Sequence, residues 1–342
     1  MEQTKVTLAN IESQITAWLH EQSGSGNEVL IAEMIRTLIK LVRDGTSRGD
    51  LKILNRALKE LRQAFKVFAP YSAVRKVSIF GSTHIKEHDP YYGLARQLAD
   101  RLAREQFMVI TGAGPGIMQA GHEGAGRENS FGVNIRLPAV QPPNRFIKDD
   151  TKLMNFHFFF TRKLMFVKEA DAVVIFPGGF GTHDELSEAL TLAQTGKSQI
   201  VPIVLMDLFD RKYWHQWENF LREAMLTRGY ISGNEFSFFK ILDNVDAAVD
   251  EIKNFYRNFH SYRFVKRDLV IRLNHPPAPG LIDRLNQTFV DILKDGTITQ
   301  TDPLPEEADD PDTLHLSRLS VPFNREDFAR LREMIDVINR DG

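Results

Sequence analysis

The sequence predicts a doubly wound α/β protein: a parallel, Rossmann-like sheet covered on both faces by helices, with a helical segment before it and a small α+β domain after it. Three observations lead there. Short apolar runs alternate with amphipathic helical stretches between Val77 and Met206, the pattern of right-handed β–α–β crossovers. Glycine-dense turns follow three of those runs, at Gly81, at Gly112-Ala-Gly-Pro-Gly116 and at Gly178-Gly-Phe-Gly181. Outside this region the periodicity changes, to wholly helical before Phe68 and to mixed after Arg263.

Composition narrows the function. The 342 residues suffice for two domains or so, and 42% hydrophobic with 26% charged residues is ordinary for a globular chain. A formal net charge of −2 supplies no global basic field, so nucleic acid is not an expected partner. The absence of cysteine excludes disulfides, thiolate–metal sites and a cysteine nucleophile. No apolar run is long enough to span a membrane, and the first ten residues lack a signal-peptide pattern, so the cytoplasm is the expected location.

In chain order, residues 6–68 read as three helices. Ile11, Ile15 and Leu19, then Leu30, Met34 and Leu38, then Leu54, Leu58, Leu61 and Phe65 recur at helical spacing, with glycine-bearing breaks near residues 23–27 and 44–50. This segment carries no chemistry and suits an accessory layer or an oligomerisation surface. Residues 77–80 form a strand ending in Gly81-Ser82, residues 91–105 a helix, and residues 107–111 a second strand. A helix at 117–128, a third strand at 131–135, a fourth at 172–176 and a fifth at 200–206 continue the alternation. Residues 137–160 carry Pro138, Pro142 and Pro143 and read as an irregular loop over the site, with Phe156, Phe158, Phe159 and Phe160 packing or stacking beside it. Helices at 212–226 and 245–259 lead into a strand–helix–strand–strand–helix domain, whose last helix follows Asn324 as N-cap. The acidic turn Pro305-Glu-Glu-Ala-Asp-Asp-Pro-Asp312 within it reads as a solvated loop. Expected boundaries are 1–70 for the helical segment, 71–262 for the nucleotide-binding catalytic domain and 263–342 for the C-terminal domain.

Residues 172–185, Ala-Val-Val-Ile-Phe-Pro-Gly-Gly-Phe-Gly-Thr-His-Asp-Glu, concentrate the chemistry. A buried strand stopped by Pro177 feeds a helix expected to start at Thr182 through Gly178, Gly179 and Gly181. Free amides and the helix dipole then favour an anion at one spot. Ligands of such sheets bind beyond the carboxyl ends of the strands, where all three glycine turns fall. The spacing at 112–116 is not the dinucleotide G-x-G-x-x-G, and no Lys-Ser/Thr pair marks a P-loop. Thr182-His-Asp-Glu185 fits a capping box, which would give Glu185 a purely structural task. Against that stands Arg162, which enters the same edge one unit earlier. A carboxylate and an arginine facing a bound phosphate-sugar suit cleavage through an oxocarbenium-like state.

Pro177-Gly-Gly-Phe-Gly-Thr-His-Asp-Glu185 resembles the P-G-G-x-G-T-x-x-E motif of the LOG ("lonely guy") family, whose members were once taken for lysine decarboxylases. Arg162-Lys163 stands where that family has an Arg-Lys pair. Thr111-Gly-Ala-Gly-Pro-Gly-Ile-Met118 and Phe80-Gly-Ser82 resemble its other glycine turns. The resemblance covers residues 77–205. It implies a phosphoribohydrolase that releases a base and ribose 5-phosphate from a nucleoside 5′-monophosphate, with no metal or redox cofactor. It further implies Arg162 and Glu185 as the catalytic pair. Phosphate binding would fall to Gly179, Gly181 and Thr182 with Gly112, Ala113 and Gly114, and Gly81, Ser82 and Gly178 complete the glycine edge. Ala113 replaces a glycine, Phe160 and Thr161 replace a His and Glu of the short plant-type members, and Phe166 replaces a Met. The flanking segments are more reminiscent of longer bacterial nucleosidases, which makes AMP the favoured substrate. The resemblance also implies a core that pairs as a dimer, and the apolar N-terminal helices offer surface for higher assembly, so a homo-oligomer, dimer or higher, is expected. The rival expectation is a non-catalytic nucleotide sensor or carrier on the same scaffold, as in the molybdenum-cofactor carrier proteins.

Overall fold

A computed structural model describes residues 27–138 and 142–342, together with 13–15, 17, 18 and 21. Ile11, Leu19, the glycine break before Asn27 and residues 139–141 of the proline-bearing loop lie outside the described residues. The chain forms two compact units, residues 1–59 and 60–342. In the first, α1 (Glu28–Arg43) carries Leu30, Met34, Leu38 and Val42 exposed. The helix α2 (Arg48–Phe68) runs across the division.

The second unit is built on the expected parallel sheet. Its strands are β1 (Lys76–Phe80), β2 (Met108–Thr111), β3 (Ser130–Ile135), β4 (Leu153–Phe156), β5 (Ala172–Ile175), β6 (Ile203–Met206) and β7 (Phe239–Leu242). They lie in the order β4-β3-β2-β1-β5-β6-β7, every pair parallel. Chain direction across the sheet reverses between β1 and β5, the crevice where open α/β sheets hold ligands. The strands are short and apolar because both faces are covered. Val77, Ile79, Val109 and Val174 pack beneath α3 (Pro90–Arg104), α4 (Ile117–Ala125) and α8, which runs Val245–Phe255. Ile110, Phe131, Val133 and Ile175 pack with Ala64 and Phe68 of α2 and with Met165 and Phe166 of α5 (Phe159–Lys168). The remaining helices of this layer are α6 (Phe180–Gln194) and α7 (Tyr213–Phe220).

Three strands escaped the sequence reading: β4, β7 and, at the end of the stretch read as a helix over 245–259, a strand over Phe259–Val265 that opens the C-terminal region. β4 lies inside the stretch read as an irregular loop, where it pairs with β3 and edges the sheet. β7 forms the opposite edge against β6. Each of these two has four residues and a polar one among them, Asn155 in β4 and Lys240 in β7, so neither shows the unbroken apolar run of the equally short β5 and β6.

The C-terminal region is a separate four-stranded antiparallel sheet of order β10-β11-β9-β8, from β8 (Phe259–Val265), β9 (Asp268–Leu273), β10 (Thr299–Thr301) and β11 (Ser317–Val321). Two strand–strand–helix arms compose it, the first ending in α9 (Leu281–Thr288) and the second in α10 (Phe328–Asp341). Alternation divides the strands between two faces. Leu269, Ile271, Leu273, Leu319 and Val321 pack against Leu285, Leu331 and Ile335 of the helices. Arg272 and Arg318, paired in register on the central strands, face the other way. The acidic turn lies there and is not solvated at Glu307: that side chain is wholly buried between the two arginines, 2.8 Å from Arg272 Nη2 and 3.0 Å from Arg318 Nε. The last helix is capped by Asp327, whose carboxylate accepts from the Arg330 amide, and not by Asn324. Arg325 adopts a left-handed φ of 67°, so the chain still turns after Asn324 and the helix starts later.

Candidate active site

Three turns meet at the carboxyl edge of β1, β2 and β5, and backbone hydrogen bonds lock them together. The Ser82 amide donates to Pro177 O at 3.0 Å, and the Ile117 amide donates to Ser82 O at 3.2 Å. Between them opens a cleft of about 330 Å³, lined by Gly81, Ser82, Gly112, Gly114, Arg162, Gly179, Gly181, Thr182 and Glu185 among others. The structure therefore gathers nine of the eleven residues singled out from sequence. Ala113 and Gly178 do not line the cleft. Ala113 is fully buried at a left-handed φ of 62°, with its side chain toward Gly132, so it shapes the turn from behind. Gly178 O accepts the Tyr213 hydroxyl at 2.5 Å, and a side chain at Gly178 would strike the Thr182 hydroxyl.

Local sequence explains how each group is presented. At Gly112 a Cβ would collide with the Arg162 guanidinium and come within 2.7 Å of Met118 Sδ. Only the bare backbone lets Arg162 lie across the turn. Around Gly179 and Gly181 an added Cβ meets nothing within 4 Å, so those positions face open space. They stand at the start of α6, which by helix geometry leaves its first amides without intrahelical acceptors. The capping box expected at Thr182 does not form. α6 begins at Phe180 with Gly179 as N-cap, no side chain caps it, and Gly179 O takes the amides of Thr182 and His183 at 3.0 and 3.1 Å. Thr182 is thus inside the helix, buried, and Glu185 is released from any capping task.

Arg162, in the first turn of α5, donates Nε to Val133 O at 2.8 Å and lies over the Phe166 ring at 5.1 Å. Burial pulls its pKa down while Glu185 pulls it up. Glu185 is only partly exposed, and burial pushes its carboxyl from the ordinary 4.5 to about 7. Lys163 and Arg162 counteract that shift, and Glu188 and Asp184 add to it. Three carboxylates in one stretch of helix are tolerable because Lys163 offsets part of their charge: its Nζ lies 2.8 Å from both Asp184 and Glu188. Among the described residues no ion pair joins Arg162 to Glu185, so the two act on each other through space.

Behind the 112–116 turn lies a wholly buried histidine that sequence reasoning passed over. His122 contacts Thr111 Oγ1 and Phe131 O, each at 3.0 Å, and meets Asn144, whose amide also donates to Gly114 O at 3.0 Å. Burial lowers its pKa to about 4, so the ring is neutral at pH 7 and braces the turn. Asn134 was also missed. It lines the cleft from the carboxyl end of β3 and holds Asn155 at 2.8 Å. Its signal was available: a polar residue closing an apolar strand at the ligand edge. The phenylalanine cluster divides its tasks, with Phe156 in the core, Phe159 half exposed on the cleft wall, and Phe158 stacked on Phe160 at 5.3 Å.

Residues 116–252 match a family model described as "Possible lysine decarboxylase". The chain is 29% identical over 145 residues to the pyrimidine/purine nucleotide 5′-monophosphate nucleosidase of Escherichia coli K12, covering 39% of this chain and 31% of that protein. It is also 29% identical over 131 residues to a cytokinin riboside 5′-monophosphate phosphoribohydrolase of Arabidopsis thaliana, covering 36% of this chain and 59% of that one. The match thus spans about a third of the length of the E. coli relative. Among solved structures, the molybdenum cofactor carrier protein of Chlamydomonas reinhardtii is similar over 53% of this chain and 96% of its own, at 16% identity and a TM-score of 0.37. The sequence matches bear out the resemblance to the LOG family, through the α/β core.

Proposed function

We propose that this protein hydrolyses the N-glycosidic bond of a nucleoside 5′-monophosphate, releasing the free base and ribose 5-phosphate, with AMP the first substrate to be expected. The observation that carries the reading is Arg162 set beside a half-buried Glu185, without an ion pair between them, across a cleft floored by open glycine backbone. The printed activities of the E. coli and Arabidopsis relatives, both on nucleoside 5′-monophosphates, support it. The α6 start at Gly179 and Gly181, with Gly114 opposite, offers backbone amides to the phosphate, and Ser82 and Thr182 line the same cleft with their hydroxyl-bearing side chains. Met118, Ile135, Leu137 and Phe159 offer an apolar wall for a planar base.

In this mechanism the bond between C1′ and the base nitrogen breaks, and its electron pair leaves with the base. Positive charge grows on C1′ and the ring oxygen, where the Glu185 carboxylate stabilises it and orients a water. The water oxygen bonds to C1′, and its surplus proton ends on the departing base. Arg162 holds the anionic substrate so that reacting atoms keep their alignment. Exposed Phe159 on the cleft wall, with exposed Phe160 and Leu164 on the same helix, supports assembly as a homo-oligomer.

The test is release of ribose 5-phosphate from a panel of purine, pyrimidine and N6-substituted adenine monophosphates. Turnover is expected with at least one of them, and Glu185→Ala is expected to lose about 10³-fold in kcat. If the wild type turns over none of them faster than Glu185→Ala does, the hydrolase reading is wrong. Binding without turnover would point to the carrier reading.

A further inference from the structure

Arg162 and Lys163 are adjacent on α5 yet serve different partners. Arg162 lines the cleft, whereas Lys163 turns to α6 and bridges Asp184 and Glu188 at 2.8 Å each. Asp184 and Glu188 are four apart and share one stripe of the helix, with Glu185 rotated about 100° from Asp184; Asp184 and Glu185 both line the cleft, and Glu188 does not. The Lys163 side chain is 13% exposed and that of Glu188 32%, so this arm of the contact is partly shielded, while Asp184, at 57%, meets the lysine at the water's edge. We infer that Lys163 is a positioning residue of the site: it fastens α6 to α5 through Asp184 and Glu188, the two carboxylates that flank Glu185, and by offsetting part of their charge it keeps Glu185 ionisable and directed at the substrate.

Charge arithmetic favours this over simple packing. The groups facing Glu185 are Arg162 and Lys163 from α5 and Asp184 and Glu188 from α6, with His84 of the first glycine turn lining the same cleft. Counting Glu185, three carboxylates meet two cations, a balance of −1. Without Lys163 the balance becomes −2, at a place where an incoming phosphate brings further negative charge. Each uncompensated like charge favours the protonated form of Glu185 and repels the substrate. Among the cations acting on the Glu185 carboxyl, Lys163 has the larger effect, ahead of Arg162. A lysine is suited to the task because its three donors and flexible stem reach two carboxylates at once.

The inference rests on the hydrolase reading for its kinetic test and is separable from it by a second measurement. The pH dependence of kcat/KM for AMP would be recorded for wild type, Lys163→Gln, Lys163→Arg and the double variant Asp184→Asn/Glu188→Gln. The acidic limb reports ionisation of Glu185. Lys163→Gln is expected to move it up by about one pH unit. Lys163→Arg restores most of the wild-type profile. The double variant removes both negative neighbours and moves the limb down, and this opposite shift keeps the inference testable should Lys163→Gln fold poorly. The Glu185 carboxyl would also be titrated by ¹³C NMR in glutamate-labelled protein, assigned by its loss in Glu185→Gln, and should shift in the same senses. Unmoved limbs and an unmoved carboxyl titration would overturn the inference. A wild type without turnover would instead remove the hydrolase reading, while the NMR titration still reports the grip of Lys163 on Glu185.

Discussion

In the small antiparallel sheet Arg272 and Arg318 close directly on Glu307, whereas at the edge of the parallel sheet Arg162 and Glu185 share a cleft without closing. Both places put guanidinium groups beside a glutamate in low-dielectric surroundings. Burial alone would raise the Glu307 carboxyl, but hydrogen bonds from Arg272, the Leu304 amide and Arg318 outweigh it and hold the group below its ordinary range. At Glu185 burial wins, and the carboxyl rises to about 7. Arg318 spends its remaining donors on the carbonyls of Thr313, Leu314 and Leu316, and Arg272 also meets Asp310 at 2.7 Å. That circuit is complete and needs no ligand. The cleft pair is incomplete, and a half-satisfied buried pair is costly unless a substrate finishes it. Under the proposed function, the difference separates a clasp that holds a fold from a site that takes an anionic substrate.

The comparison breaks most visibly if the clasp is opened. Glu307→Ala leaves two fully buried guanidinium groups without their shared carboxylate and should cost about 3–5 kcal/mol in chemical denaturation. The sign with pH follows from the lowered carboxyl: its contribution is complete above the unfolded value near 4.5 and is lost as pH falls toward the folded one. A loss under about 1 kcal/mol, on the scale of an exposed pair, would mean that the clasp is incidental.

A smaller effect should appear at Gly112. The Cβ of Gly112→Ala would occupy the space of the Arg162 guanidinium and must displace it. The expected result is a loss of about 10–100-fold in kcat/KM with near-native melting behaviour, since misplacing a catalytic group by about 1 Å costs that much. Gly181→Ala adds its Cβ to open space and serves as the contrast: folding unaffected, substrate affinity reduced. Equal activity in wild type and Gly112→Ala would show that the position of Arg162 does not matter.

The two regions were not equally legible in the sequence. The parallel core could be read because strands covered on both faces are continuous apolar runs, and because the glycine turns fall where such sheets bind ligands. Arg162, Glu185 and the open glycines were found that way. The edge strands β4, β7 and β8 were missed because polar residues interrupt their apolar runs, and β4 follows a proline-bearing loop that disguised it. Thr182 and Glu185 satisfy the capping-box pattern, but the helix already starts at Phe180 behind Gly179, and local pattern cannot rank competing starts. The clasp was misread because composition marks residues 305–312 as acidic without saying what they meet. The clue lay in Arg272, the one polar residue among Leu269, Val270, Ile271 and Leu273 in a strand that is apolar after Asp268. A buried strand arginine calls for a carboxylate, and the acidic turn was the nearest supply.

The finest test compares the two glutamates in stability and not in activity. Glu185 has a raised folded pKa, so the folded chain binds the extra proton between pH 4.5 and about 7, and stability must fall as pH rises through that window. The penalty is complete above about pH 7. Glu185→Gln removes it, although Arg162 then loses a favourable neighbour and partial exposure screens the charge. The variant is therefore expected to match wild type near pH 5 and to exceed it by about 1–2 kcal/mol at about pH 8, measured by urea denaturation. Glu307→Gln should do the reverse, with its largest loss at the higher pH. If both variants lost stability at the higher pH, Glu185 would be a second clasp and its separation from Arg162 would have no functional meaning.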